Sequence, residues 1–108
     1  MLKTVVFLRK SDQLSKAEFR EWWLGDHASI VRRFPGLQKY SINIFADHLS
    51  NSAPSEWDGI AELWFLDRAA LDKAYESDVA KEGMADTAAH LKDVVRMITE
   101  EFLIDPEP

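Results

Sequence analysis

One stretch constrains this chain more than any other: Asp58 to Leu66, DGIAELWFL, is apolar at nearly every position. A half-solvated strand alternates apolar with polar residues, so a near-continuous apolar run predicts a strand covered on both faces. Leu2 to Leu8 has the same character and is closed by Arg9, Lys10, Ser11 and Asp12, which predicts a buried strand over 2–9 followed by a turn. Within 108 residues, helices can cover one face of such a sheet, and the other face needs a further layer.

The remaining segments supply the helices. Ser15 stands three residues before Glu18, the spacing of a capping box, with Leu14 and Phe19 placed as a hydrophobic staple. Phe19, Trp22, Trp23, Ile30 and Phe34 then recur at helical spacing, and the helix is expected to end at Phe34-Pro35-Gly36. Leu37 to Ala46 alternates, with Tyr40, Ile42 and Ile44 on one face and Lys39, Ser41 and Asn43 on the other, so it is a second strand. Residues 47–57 (DHLSNSAPSEW) form a polar loop longer than a usual hairpin, the kind that covers a binding site. Asp67 caps a short helix carrying Leu71, Ala74 and Tyr75; Ser77 or Asp78 starts another through Met84 to Leu91; Val94 to Ile104 is a fourth strand.

The order β-α-β-β-α-β predicts an α+β, ferredoxin-like sheet with both helical segments on one face. Strands apolar on their second face predict a homodimer through that sheet face, two sheets packing against one another. One domain over 1–108 is expected, with 105–108 (DPEP) a loose tail.

Composition narrows the function classes. A formal net charge of -6 disfavours nucleic acid as a partner, although residues 1–40 carry eight basic and four acidic groups against five and fifteen in 41–108. The absence of Cys excludes disulfides, thiolate metal sites and cysteine nucleophiles. The apolar run within MLKTVVFLRK is too short for a signal sequence, and nothing approaches a membrane span, so the expectation is a cytoplasmic protein without membrane contact. His27, His48 and His90 show no ligand spacing, and no phosphate or dinucleotide fingerprint is present, so neither metal nor cofactor is expected.

Candidate chemistry centres on His27, which lies at the margin of the apolar helical stripe and can look into a pocket between helix and sheet as a general base or acid. Tyr40, on the helix-facing side of the second strand, can offer its hydroxyl to a bound oxygen. His48 begins the long loop and is a candidate second proton carrier, with Asp47 or Asp26 as orienting carboxylates. Trp23, Ile42, Leu63, Phe65 and Met84 are the candidate pocket walls for a small molecule. Glu62, in an otherwise apolar strand, is expected to pair, with Arg96 as the candidate partner, and His90 is expected at the surface.

The segments FREWW-x3-H (Phe19 to His27), FPGL-x-KY (Phe34 to Tyr40), DGIAELWF (Asp58 to Phe65), AYESD (Ala74 to Asp78) and TEE (Thr99 to Glu101) together resemble the EthD family of the dimeric α+β barrel superfamily. Within it the pattern is most similar to the methylmuconolactone methylisomerase group, cofactor-free enzymes of aromatic catabolism. The resemblance implies a dimer with a pocket between helices and sheet in each subunit. His27 and Tyr40 match the pocket His and Tyr of that group, and His48 is a possible counterpart of its second pocket His. Leu63 stands where the group has a pocket Cys, and one extra residue separates Phe19 from His27. The resemblance thus implies a cofactor-independent isomerase, cyclase or dehydratase acting on a small lactone, enone or phenol-derived intermediate. Two alternatives stand beside it: a cofactor-free monooxygenase on a quinol-like substrate, and a non-catalytic accessory protein binding a degradation intermediate.

Overall fold

Four antiparallel strands, β1 (Leu2–Lys10), β2 (Lys39–Ile44), β3 (Gly59–Phe65) and β4 (Leu91–Glu100), form one sheet in the order β2-β3-β1-β4 in a computed structural model that describes residues 1–50 and 54–108. This is the ferredoxin-like α+β arrangement expected from the element order. The register sorts the side chains. Thr4 faces Leu63 and Ile98, and Val6 faces Ala61 and Arg96, so these residues share the helix-covered side. Val5, Glu62 and Met97 share the other side.

The first helical segment carries the capping box expected at Ser15 and Glu18, but it is not one uniform helix. Helix α1 (Lys16–Trp22) passes into a π-helical turn (Trp23–His27) and then into α2 (Ala28–Val31). The Ala28 N–H reaches back to the Trp23 carbonyl, five residues earlier, which is the wider hydrogen-bonded ring of a π turn. Such a turn takes up one extra residue inside a helix. Trp22 and Trp23, where α1 meets the turn, are both buried. Gly36, at φ 75°, turns the chain out of the helix as its sequence position suggests.

Helices α3 (Arg68–Tyr75, capped by Asp67) and α4 (Asp78–His90, capped by Ser77) complete the helical layer. The core lies between this layer and the sheet, where Trp23, Phe65 and Thr4 are the largest fully enclosed side chains. Enclosing an aromatic ring of this kind contributes roughly 2–3 kcal/mol from area burial. Gly59 is required at its place on β3, because a Cβ there would collide with the Asn43 carbonyl and come within 2.7 Å of the Trp23 ring.

Two boundaries differ from expectation. The fourth strand begins at Leu91 and ends at Glu100, whereas composition favours 94–104. Pairing explains both ends: Lys10 already faces Leu91, and Leu2 faces Glu100, so β1 has no residues left to pair with the strand-like Phe102, Leu103 and Ile104. Those three side chains are exposed. In the expected 47–57 loop, Asp47–Leu49 forms a 3-10 turn, and 51–53 fall outside the described residues.

The pairing expected between Glu62 and Arg96 does not form, because the register puts the two on opposite faces. Glu62 instead accepts from Lys3 Nζ at 2.7 Å, and the same ammonium reaches Glu101 at 2.8 Å. Ser41 and Asn43 also donate to Glu62, so the carboxylate is fully engaged and held below the usual range, chiefly by Lys3. Trp64 lies beside this network, donating to Glu101, with Lys3 and Lys39 over its ring.

Candidate functional site

A cavity of about 520 Å³ opens between α4 and the helix-covered face of the sheet. Its origin is legible in α4, whose cavity-lining positions are, apart from Met84, the small Ala80, Gly83, Thr87 and Ala88 where large apolar residues would fill the space. Sheet residues such as Val6, Leu8, Ala61 and Leu63 form the floor, and His27 enters from the end of the π turn.

The His27 ring is held by a carboxylate and by an indole. Its Nδ1 lies 2.8 Å from Asp86 Oδ2, which also accepts from Trp22 Nε1 at 3.1 Å. The other oxygen of Asp86 is 3.3 Å from His90 Nδ1, and His90 Nδ1 donates to the Asp86 carbonyl at 2.8 Å. The Trp22 indole sits between the two imidazoles, its centroid 4.6 Å from each, stacked on His90 and tilted on His27. An ionised carboxylate only accepts, so the His27 proton is assigned to Nδ1 and Nε2 is the basic nitrogen. That nitrogen has no protein partner among the described residues, and the ring borders the cavity. Burial pushes the imidazole below its usual range, and Asp86 pulls it part of the way back, so the ring is neutral at pH 7.

Tyr40 also borders the cavity with its ring, but its hydroxyl oxygen is enclosed beside the Trp23 N–H, and neither atom has a hydrogen-bond partner among the described residues. Burial pushes the phenol up to about 12, opposed by the neighbouring indole N–H, which leaves it un-ionised at physiological pH. Tyr75 is fixed by a 3.2 Å bond with Thr4 and by edge contact with Phe34.

The structure therefore gathers His27, Tyr40, Trp23, Leu63 and Met84 around one cavity. It does not bring Ile42, Phe65 or His48 there. Ile42 packs against the core, Phe65 is enclosed within it, and His48 is exposed on the 3-10 turn. The orienting carboxylate is Asp86, not Asp26, which is exposed, nor Asp47, which lies 3.9 Å from Lys16. His90, expected at the surface, is half-buried against Trp22. The signal for Asp86 was weak but present: an acidic residue four before a His in a helix otherwise lined by small side chains. Among the described residues no group of three or more His, Cys, Asp or Glu side chains is placed to hold a metal ion. Among them, too, no helix is long and apolar enough to cross a membrane.

Comparison with known proteins bears on the same region. The model of the EthD domain matches residues 11–93, from the turn after β1 through the start of β4. The chain belongs to the EthD family. Among solved structures, an EthD family protein from Bacillus halodurans superposes with a TM-score of 0.80 at 24% identity, covering 94% of this chain and 100% of that one. SnoaB, a cofactor-independent oxygenase from Streptomyces nogalater, superposes with a TM-score of 0.72 at 15% identity, covering 98% and 97% in a variant form. A dimeric ferredoxin-like protein of unknown function from Thermobifida fusca gives 0.73 at 14% identity, covering 91% and 88%. At these identities the superpositions establish the ferredoxin-like fold of this EthD protein. No curated protein sequence matches the chain.

Proposed function

We propose that this EthD protein is a cofactor-independent acid/base enzyme that moves a proton on a small lactone, enone or phenol-derived molecule. The observation that carries the reading is the neutral His27 ring, fixed through Nδ1 by Asp86 and presenting Nε2 at an apolar cavity. His27 Nε2 takes a proton from a carbon next to a carbonyl, the electron pair moves onto the carbonyl oxygen, and the same imidazolium returns the proton at a second carbon. Asp86 positions the ring and stabilises its charged form. Tyr40, kept un-ionised, donates to the developing oxyanion once a bound molecule draws its hydroxyl out of the enclosure beside Trp23. The resemblance to the methylmuconolactone methylisomerase group belongs to this reading.

Supporting a pocket in each of two subunits, Val5, Phe7, Ile60, Val95 and Met97 line the sheet face that no helix covers, and we read this face as the seat of a second copy. The direct test is incubation in deuterated buffer with muconolactones, butenolides and simple enones, following carbon-bound protons by NMR. Deuterium entering one substrate at a rate lost in His27→Ala is expected. Full exchange in both His27→Ala and Tyr40→Phe would remove the mechanism.

A second reading is favoured by the similarity to SnoaB, described as a cofactor-independent oxygenase: oxidation of a quinol-like ring in the same cavity. Oxygen uptake with a quinol panel, absent proton exchange, selects it. Tight binding without turnover in either assay selects an accessory binding role.

A further inference from the structure

Among the described residues, Arg96 is the one permanently charged side chain that borders the cavity. It projects from β4 with its guanidinium 3.9 Å from the Tyr75 ring centroid, and Tyr75 is itself held by Thr4, Phe34 and Phe65. Arg96 is exposed and has neither an ion pair nor a hydrogen bond to any other described residue; Arg20 and Arg32 share this lack but do not border the cavity, whereas Arg9, Arg33 and Arg68 each face a carboxylate. Stacking uses the face of a guanidinium and leaves its edge N–H donors free, in the planar fork that matches a carboxylate. The protein as a whole carries a net charge of -6, so an uncompensated cation at the cavity is set against the overall field. The remaining walls are apolar, aromatic or neutral, and the acid beside His27, Asp86, already accepts from His27 and Trp22.

We propose that Arg96 anchors one carboxylate of the bound molecule, and hence that the occupant is a small, flat, largely apolar monocarboxylate. This deepens the reading of the cavity as a small-molecule site and rests on it, but it concerns recognition, not proton transfer. The stack on Tyr75 orients the anchor without consuming its donors. The part of the cavity bordered by His27 receives the uncharged, reacting part of the molecule.

The test is binding of two probes of one shape, trans-cinnamate and trans-cinnamamide, followed by protein-observed NMR of the cavity residues. Wild type is expected to bind the carboxylate roughly ten-fold more tightly than the amide. Arg96→Gln, which can still lie on Tyr75 but is neutral, is expected to bring the ratio to about one, and Arg96→Lys to keep most of the preference. Added salt is expected to weaken cinnamate and not cinnamamide, a wild-type measurement that stands even if Arg96→Gln fails to fold. Equal binding of the probes by wild type, a preference that persists in Arg96→Gln, or no binding of either probe at millimolar concentration overturns the proposal. His27→Ala separates it from the catalytic reading: carboxylate preference retained there, with no deuterium exchange in wild type on any substrate, leaves the anchor standing and the acid/base mechanism rejected. Exchange on neutral lactones without carboxylate preference does the reverse.

Discussion

The two faces of this sheet are built from neighbouring residues of the same strands and have opposite electrostatic character. On the helix-covered face, Thr4 and Leu63 are buried, and two ionisable groups packed there, His27 and Tyr40, are held neutral by burial, with Arg96 the charged exception at the cavity. On the other, Lys3 stands between Glu62 and Glu101, and the pair partners reinforce each other's charged forms. The lesson is that one residue of register decides whether a charged side chain joins an ion network or is left to face a cavity. Glu62 and Arg96 illustrate it: they lie on strands adjoining β1, yet one belongs to an ion network and the other to a cavity.

The largest effect should come from the neutral face. His27→Ala is expected to lower the deuterium-exchange rate roughly 10²- to 10⁴-fold, the range for loss of a general base, read by NMR on the substrate that exchanges. Asp86→Asn separates positioning from proton transfer. Asp86 raises the His27 pKa, so its removal should move the acid limb of kcat/KM to lower pH as well as reduce the rate. A limb that stays in place would leave Asp86 with a packing role alone.

Gly59→Ala should be next, destabilising by about 3 kcal/mol in urea unfolding, because the added methyl displaces both Trp23 and the β2 backbone. A loss well under 1 kcal/mol would show that the cavity-side packing yields more easily than a close-packed core does. Tyr40→Phe has the opposite sign. Removing an enclosed, unpartnered hydroxyl should stabilise the fold by about 1 kcal/mol near neutrality while lowering activity. The phenol titrates near 10 when unfolded and about 12 when folded, so below pH 10 its ionisation does not affect folding, and as pH rises from 10 toward 12 ionisation favours the unfolded chain. Wild type should therefore lose stability over that alkaline window, and Tyr40→Phe should not lose this part.

The charged face should give the smallest and most pH-dependent effect. Lys3→Met strands Glu62 and Glu101, whose pKa values Lys3 depresses. Their contribution is present above the unfolded carboxylate pKa and disappears as pH falls through the lower folded value. The stability gap between wild type and Lys3→Met should accordingly close on acidification, measured by urea midpoints across the acid range. If a second copy covers this face, Met97→Asp should convert a dimer to a monomer in sedimentation.

Much of this architecture was readable from the residues because strand patterning and caps are local signals. The capping box at Ser15, the alternation around Tyr40 and the doubly apolar Gly59–Phe65 all act within a few residues. The end of β4 was not, since Phe102 to Ile104 look like a strand and fail to be one only because β1 has run out. His27 was visible as a helix-margin residue, but its partner Asp86 lies 59 positions away and is joined to it only by the packing of α4 against the π turn. Arg96 was visible as a residue and misassigned in role, because strand register across a sheet is a non-local quantity.

The π turn frees the location of His27 from strict counting. In a straight α-helix each residue advances the side-chain direction by about 100°, so an extra residue before His27 would swing the imidazole that far around the axis unless a wider turn absorbed it. The turn at Trp23–His27 does so, because its larger hydrogen-bonded ring spends one more residue on the same rotation. Gly25 is the residue to remove, as it is exposed and has open space where a Cβ would stand. Its loss would leave a regular α-helix with the imidazole still aimed at the cavity. The aim of the base is thus buffered against one residue of chain length, and a single insertion or deletion in this turn can be absorbed while the site stays in place.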